Sequence, residues 1–467
     1  MLKKLFSHTA IYGLAPQVTR IASVLALPII TKDLTSVDFG VYGIITAVAG
    51  AIAVLNALGL KLVLTNSFYR SPMQYKWGWR QIYGFLMIWN LPYSVILGVI
   101  LWFFIPYEAS SNALWIVLLN VLPVVFFGPT SILGNTYYQL KQQPFQIVIR
   151  SVIFGLLTVV LNIVFISVFK QGYMGWFIST SISTMASQMS FFIPINFKEG
   201  LKPIFNFKWR YIKRSLKVSI PTIPHYYSTY LLDSSDRLIM KTVGVATSEI
   251  GVYNAAYTVG NFIRQAGMAA GFAIGPMLNI AYKEGNEKRA RDLIFILQIS
   301  FLIGSFILCI WLKEVFHLLL KNKELQESYE LGIIIIMSYC YRPMYLGANS
   351  KLFYLEKTQL LLKVTFVAAV INVCLNFILI PLWGIYAAAF VTYISLLYMG
   401  YAGFYLKTVR ETNQVNYYPV FWLALTLVLT VFTLVCVEWN IIIKIVLSIV
   451  GLFAGALFIM RINRRIV

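Results

Sequence analysis

The sequence predicts an all-α polytopic membrane protein: two parallel six-helix lobes plus two C-terminal transmembrane helices, about 14 spans in total. Composition, the recurrence of apolar runs, and a likeness between the two halves lead to this class. The 467 residues are 59% hydrophobic and 12% charged, with a mean hydropathy of +0.76. A soluble chain keeps roughly a quarter of its residues charged. Apolar runs of about 20 residues, each able to cross a ~30 Å hydrocarbon layer, recur along the whole chain. No connection between them exceeds about 20 residues, which leaves no room for a soluble catalytic or nucleotide-binding domain.

The first span, 10–30, follows the basic start MLKKLFSH, but its length and its Pro16, Gln17 and Arg20 favour an uncleaved helix over a signal peptide. Spans follow at 40–63, 83–105, 113–134, 147–169 and 173–195, completing an N-terminal lobe over 1–200. The sixth is rich in Ser and Thr (Ser179 to Ser187), read as helix–helix hydrogen bonding. A basic cytoplasmic linker, 201–216, leads to spans 217–238, 249–273, 291–312, 331–352, 360–382 and 384–406, a C-terminal lobe over 217–410. Residues 411–467 hold the remaining pair, 419–437 and 441–460. FGVY (39–42) is echoed by IGVY (250–253), Pro16 by Pro224, Asn135 by Asn349, NIVFI (162–166) by NFILI (376–380), and TSIS (180–183) by TYIS (392–395). These ordered offsets of 208 to 214 residues describe a duplicated six-span unit. Six is even, so both copies point the same way across the bilayer.

Charge sets the orientation. On the side holding the amino terminus, the connecting segments carry 25 of the 38 Lys and Arg residues. By the positive-inside rule both termini are expected in the cytoplasm. The net charge of +21 is then largely topological, and no nucleic-acid partner is expected; basic ends facing anionic lipid headgroups account for it better. The four cysteines, all in apolar runs, form no CxxC pair, so neither a metal site nor a disulfide framework is expected.

Ionisable groups inside spans are the informative exception, since each costs at least ~2.5–3.5 kcal/mol at mid-bilayer unless it faces protein or water. Arg20, Arg264 and Arg342 lie deep in spans 1, 8 and 10. Asn254, Tyr257, Asn261, Arg264 and Gln265 fall on one arc of span 8; Ser338, Arg342, Tyr345 and Asn349 form a similar stripe on span 10. Gln17 sits one turn from Arg20. Gly267, Gly271 and Gly275 on another face of span 8 suit close packing. Arg150 and Lys363, near cytoplasmic span ends, read as headgroup anchors, and Lys444 as a snorkelling residue. In SIPTIPHYYSTYLLDSSDRLIM (219–240), His225 follows a proline-broken turn and is open to a packing or a proton-relay role. Asp233, Asp236 and Arg237 are placed near the outer end of that span, in gating or coupling; for Asp236 and Arg237 an ion pair and direct ligand contact stand equally open.

No GxxxxGK[ST], HExxH or GxSxG motif is present, so ATP hydrolysis and enzyme activity are not expected, and no cofactor is implied. The mainly basic intramembrane charges favour an anionic cargo such as a phosphate or pyrophosphate, for which guanidinium forks are suited.

IPTIPHYYSTYLLDSSDRLIM followed by IGVYNAAYTVGNF resembles spans 7 and 8 of bacterial oligosaccharide flippases. YGLAPQVTRIASVLALPIITKDLTSVDFGVYG and LNFILIPLWGIYAAAFVTYIS are similar to the same group. This is the polysaccharide transporter family, within the MOP exporter superfamily of multidrug and toxin extruders (MATE) and lipid II flippases. The likeness runs from about residue 5 to 410. It implies a MATE-like fold with a cationic cavity, moving between inward- and outward-open states in the bacterial inner membrane. The implied cargo is an undecaprenyl-pyrophosphate-linked oligosaccharide such as an O-antigen or capsule repeat unit. Arg20 and Arg264 match, by span, the cavity arginines of the lipid II flippases, and spans 13 and 14 look like their additional pair. The resulting expectation is a flippase in which Arg20, Arg264 and Arg342 meet the anionic group. Gln17, Asn254, Asn261, Gln265, Tyr345 and Asn349 contact the remainder, and His225, Asp233, Asp236 and Arg237 gate or couple. Membrane lipids and other polysaccharide-assembly proteins are the expected partners, with proton or sodium coupling left open. A MATE-type multidrug or cation antiporter, dependent on Asp233 or Asp236, is the alternative; an integral-membrane glycan polymerase or glycosyltransferase ranks below both.

Overall fold

Helices account for most of the described residues because the bilayer offers no partner for an exposed peptide group, and a helix satisfies its own. The computed structural model describes residues 17–354, 358–412 and 415–466. It divides into two compact units, Met1–Tyr230 and Leu231–Val467.

Unit 1 holds α1 (17–30), α2 (Ser36–Ala53), α3 (Lys61–Arg70), α4 (Tyr75–Phe104), α5 (Ala113–Leu140), α6 (Pro144–Asn162), α7 (Tyr173–Met189), α8 (Trp209–Ser219) and the start of α9 (Ile223–Thr242). One core of the unit is packed by Trp79, Tyr83, Leu133, Tyr137, Phe191 and Ile212. Thr35 and Asp38 close a capping box at the start of α2, and Asp38 also accepts from the Tyr173 backbone N–H at 2.8 Å, tying α2 to α7. The segment between α7 and α8 is laid along α4. Lys76 Nζ donates to the Glu199 carbonyl at 2.8 Å, Arg80 Nε to that of Lys202 at 2.9 Å, and the Lys208 backbone N–H to Gln81 Oε1 at 2.7 Å. A Cβ on Gly84 would stand 1.9 Å from the Ile204 carbonyl oxygen, so only glycine admits this approach.

Unit 2 holds the remainder of α9, then α10 (Thr247–Lys283), α11 (Glu287–Ile310), α12 (Leu312–Leu319), α13 (Lys323–Gln326), α14 (Tyr329–Ser338), α15 (Arg342–Tyr354), α16 (Thr358–Tyr401), α17 (Lys407–Thr412), α18 (Pro419–Cys436) and α19 (Ile441–Ile466). A single 3-10 turn, Tyr339–Tyr341, joins α14 to α15, so these two together form the tenth span. Gly384 (φ 58°, ψ −139°) breaks α16 into two rods where the sequence places the boundary between spans 11 and 12. Helices α18 and α19 pack on α11, with the Phe306 and Phe432 rings stacked at 6.0 Å.

Two readings are corrected here. The second span ends at Ala53, short of residue 63, because Leu58 (φ 47°) and Gly59 (φ 68°) turn the chain and α3 begins as a separate helix. Lys444 does not snorkel: it is 1% exposed, and its Nζ lies 2.6 Å from Glu314 Oε1. Among the described residues nine segments are long and apolar enough to cross a membrane. Helices α9 and α10 are not among them, and these carry Asp233, Asp236, Arg237 and Arg264.

Candidate functional site

The polar residues of α9 sort into two clusters with different access to solvent. In the closed one, Asp236 is 1% and Arg237 7% exposed. Arg237 Nη1 lies 3.4 Å from Asp236 Oδ1, and its Nε donates to Asn254 Oδ1 at 3.0 Å. The guanidinium lies over the Tyr257 ring at 4.3 Å, and the Tyr253 hydroxyl donates to Asp236 Oδ2. A buried ion pair is retained when each remaining polar atom finds a partner. Here α10 supplies those partners, so the cluster pins α9 to α10 and commits the Asn254 side-chain oxygen Oδ1 to Arg237.

One turn earlier on α9 the second cluster is half open. Asp233 Oδ2 accepts from Arg264 Nη1 at 2.5 Å, with side chains 27% and 30% exposed. Arg264 Nε is buried with no partner among the described residues. Arg342 comes beside them from the start of α15. A Cβ on Gly267 would lie 3.3 Å from Arg342 Cγ, so the bare face of α10 accommodates the arginine stem. Arg342 Nη1 donates to the Tyr341 hydroxyl at 3.4 Å, its guanidinium is 5.8 Å from the Tyr345 ring centre, and its Nε has no partner among the described residues. Arg342 makes no ion pair among the described residues. A second guanidinium thus stands beside the Asp233–Arg264 pair without bonding its carboxylate, and two arginines against one aspartate leave the cluster an excess positive charge. Such an arrangement can accept a second anionic group without first being built for it.

The other site residues fall as follows. Asn261 and Gln265 are half-buried on α10. Asn349 is 3% exposed, and its Nδ2 has no partner among the described residues. Gln17 and Arg20 are half-buried on α1 of unit 1, Arg20 one turn from Gln17. The His225 side chain lies outside the described residues. Around it, the proline-broken turn is repaired locally: Thr222 Oγ1 donates to the Ser219 carbonyl at 2.6 Å and Ser228 Oγ to that of Pro224 at 3.0 Å. The polar content of 219–240 therefore serves three ends: repair of a bent helix start, one buried pin, and one half-wet ion pair.

Sequence reasoning missed a polar cavity in unit 1. About 340 Å³ in volume, it is lined by Ser131, Asn135, Arg150, Ser183, Ser187 and Gln188 among others. Arg150 lies over the Phe191 ring at 4.6 Å and donates from Nε to Ser190 Oγ at 3.0 Å. Ser183 Oγ and Gln188 Oε1 are buried there with no partner among the described residues. Recurrence of Ser and Thr at helical spacing on α7, opposite an arginine, was the available signal. Also missed were Tyr253 and the buried amides Asn372 and Asn376 of α16: Asn376 Nδ2 donates to Asn372 Oδ1 at 3.1 Å, and Ser235 Oγ donates to the same oxygen at 3.5 Å.

Intramembrane charge held half-open to water marks proteins that handle polar or ionic cargo inside the bilayer. The chain belongs to the polysaccharide biosynthesis protein family, whose match spans residues 5–279, more than half its length. No curated protein sequence matches. Among solved structures it is similar to the lipid II flippase MurJ in an inward closed conformation, with a TM-score of 0.65 and 11% identity over 91% of this chain and 97% of that one. It is also similar to a multidrug resistance MATE family transporter of the MOP superfamily in its outward-facing conformation, with a TM-score of 0.57 and 15% identity over 88% and 97% of the two chains. A Vibrio cholerae MATE transporter, VcmN, matches with a TM-score of 0.51 and 14% identity over 88% and 97%. The fold is thus that of the MATE and MurJ transporters, and the chain is a polytopic membrane protein of a flippase and transporter fold.

Proposed function

We propose that this protein is a flippase that moves an undecaprenyl-pyrophosphate-linked oligosaccharide from the cytoplasmic to the outer leaflet of the bacterial inner membrane by alternating access, with both termini in the cytoplasm. The observation that carries the reading is the partly exposed Asp233–Arg264 pair with Arg342, which makes no ion pair among the described residues, beside it. A pyrophosphate brings at least two negative charges and fork-shaped acceptors, and guanidinium groups suit it better than any neutral cargo. Asp233 acts as the resident counter-ion that the arriving pyrophosphate displaces. Arg20 in unit 1 is a further cationic contact in this reading. Gln17, Asn261, Gln265, Tyr345 and Asn349 contact the sugars, as do the hydroxyls and amides around Arg150. Asp236, Arg237 and Asn254 fix α9 to α10 and act on the cycle through that pin. Membership of a polysaccharide biosynthesis family supports the glycan cargo. The test is complementation of a strain lacking its glycan flippase, with chemical identification of the lipid-linked glycan that accumulates without the protein.

The second reading, a cation or drug antiporter, draws on the half-exposed Asp233 carboxylate and on the likeness to MATE structures. It predicts that Asp233→Asn abolishes efflux of small cations from cells lacking glycan export. The flippase reading predicts no such efflux in the parent protein.

A further inference from the structure

A second charged cavity lies away from this cluster, where the second and third turns of α11, the start of α18 and the last turns of α19 meet. It measures about 330 Å³ and is lined by Arg291, Asp292, Phe421, Trp422, Phe458 and Arg461, with Tyr418 at the start of α18. Arg291 turns both Nε and Nη2 onto Asp292 Oδ1, at 2.9 and 2.8 Å, so this guanidinium is anchored in one orientation. Arg461 is exposed and makes no ion pair among the described residues. Two guanidinium groups against one carboxylate give the cavity a net charge of one positive unit. Trp422 forms a wall: it is 2% exposed, yet its indole Nε1–H has no acceptor among the described residues. A buried donor without a partner costs free energy unless something arrives to accept from it. Phe295, Phe421 and Phe458 surround the indole with ring centres 5.3 to 6.0 Å away. Tyr418 holds φ at 48°, a left-handed conformation unusual for a tyrosine, with its backbone N–H bonded to Asn416 Oδ1 at 2.7 Å. Exposed apolar side chains flank the cavity: Val420, Phe421 and Leu457 are 64%, 58% and 48% exposed.

We propose that this cavity is a binding site for the headgroup phosphodiester of an anionic membrane phospholipid. The phosphate sits between Arg291 and Arg461, an oxygen accepts from Trp422 Nε1, and the acyl chains run along the exposed apolar faces of α18 and α19. A lipid whose headgroup carries a single net negative charge matches the single positive excess. Basic pockets between spans at the charged membrane face bind lipid headgroups by this combination of fixed cations and adjoining apolar surface. The site lies on the pair of helices outside the duplicated lobes, so its occupancy would tie α18 and α19 to α11 from the lipid side.

The test is native mass spectrometry of the full chain in detergent, titrated separately with phosphatidylglycerol, phosphatidylethanolamine and inorganic phosphate. Phosphatidylglycerol is expected to occupy one site about tenfold more tightly than phosphatidylethanolamine, and millimolar inorganic phosphate should fail to displace it. Arg461→Ala should weaken that site about tenfold, as expected for one lost charge-assisted contact. Arg461→Lys should recover part of the loss, Trp422→Phe should weaken binding severalfold while keeping the wall, and Arg289→Ala, a nearby surface cation, should change nothing. Equal affinity for the two lipids, displacement by inorganic phosphate, or an Arg461→Ala protein that binds like its parent would each overturn the proposal.

Discussion

Asp233→Asn separates a displaceable counter-ion from a structural pair. In the parent, Arg264 Nη1 is held 2.5 Å from Asp233 Oδ2, and roughly three-tenths of each side chain meets solvent. A charge-assisted bond is worth ~1.5–3 kcal/mol when buried. Exposure on this scale screens the pair, so about 1.4 kcal/mol, or one factor of ten, is the portion that an arriving anion must displace. The neutral amide keeps the shape and one acceptor oxygen but removes the competing charge. Binding of undecaprenyl pyrophosphate to the purified protein in nanodiscs, followed by intrinsic fluorescence, should therefore tighten about tenfold. Glycan export in cells should fall, because the same interaction is needed to release the cargo. An affinity that is unchanged or weaker in Asp233→Asn would refute the counter-ion reasoning.

Other substitutions test neighbouring parts of the account. Arg342→Ala should reduce glycan export at least tenfold, with Arg342→Lys between it and the parent; equal activity of all three would remove Arg342 from the site. Asp236→Asn, which leaves buried Arg237 without its carboxylate, should cost about 3–5 kcal/mol of stability, read as a lowered unfolding midpoint in detergent. Because that pair is closed off from solvent, pyrophosphate affinity in the surviving folded fraction should stay within about twofold of the parent, far from the tenfold of one 1.4 kcal/mol contact. Gly84→Ala forces a methyl group to 1.9 Å from the Ile204 carbonyl and should detach the segment between α7 and α8, seen as faster proteolysis near residue 204.

Much of the fold is legible in sequence because lipid reduces the choice of spanning structures to few options. Apolar runs mark most of the long rods, and Gly384 marks a boundary that the run 360–406 would otherwise blur. The second span is less legible: Leu58 and Gly59 turn the chain inside a stretch whose hydropathy barely changes. For the site, depth in a span identified which arginines needed company but not which company they keep. Arg237 and Arg264 are both α9–α10 contacts, yet one is sealed under Tyr257 and the other keeps about three-tenths of its side chain in contact with solvent. That difference is set by Tyr253, Tyr257 and Gly267 on α10, and depends on helix rotation rather than on spacing alone. Lys444 was misread because position near a span end predicts snorkelling, while its partner Glu314 comes from a helix far away in sequence. Arg150 shows the converse: a residue near a span end that turns inward onto Ser190 and Phe191.

The most direct measurement compares binding of undecaprenyl pyrophosphate with that of undecaprenol, which has the same tail and no phosphate, to the parent protein and to Arg264→Ala/Arg342→Ala. The account predicts at least a tenfold preference for the pyrophosphate in the parent, and near-equal binding of the two lipids in the double variant. A parent that binds both lipids alike, or a double variant that keeps the preference, would contradict it.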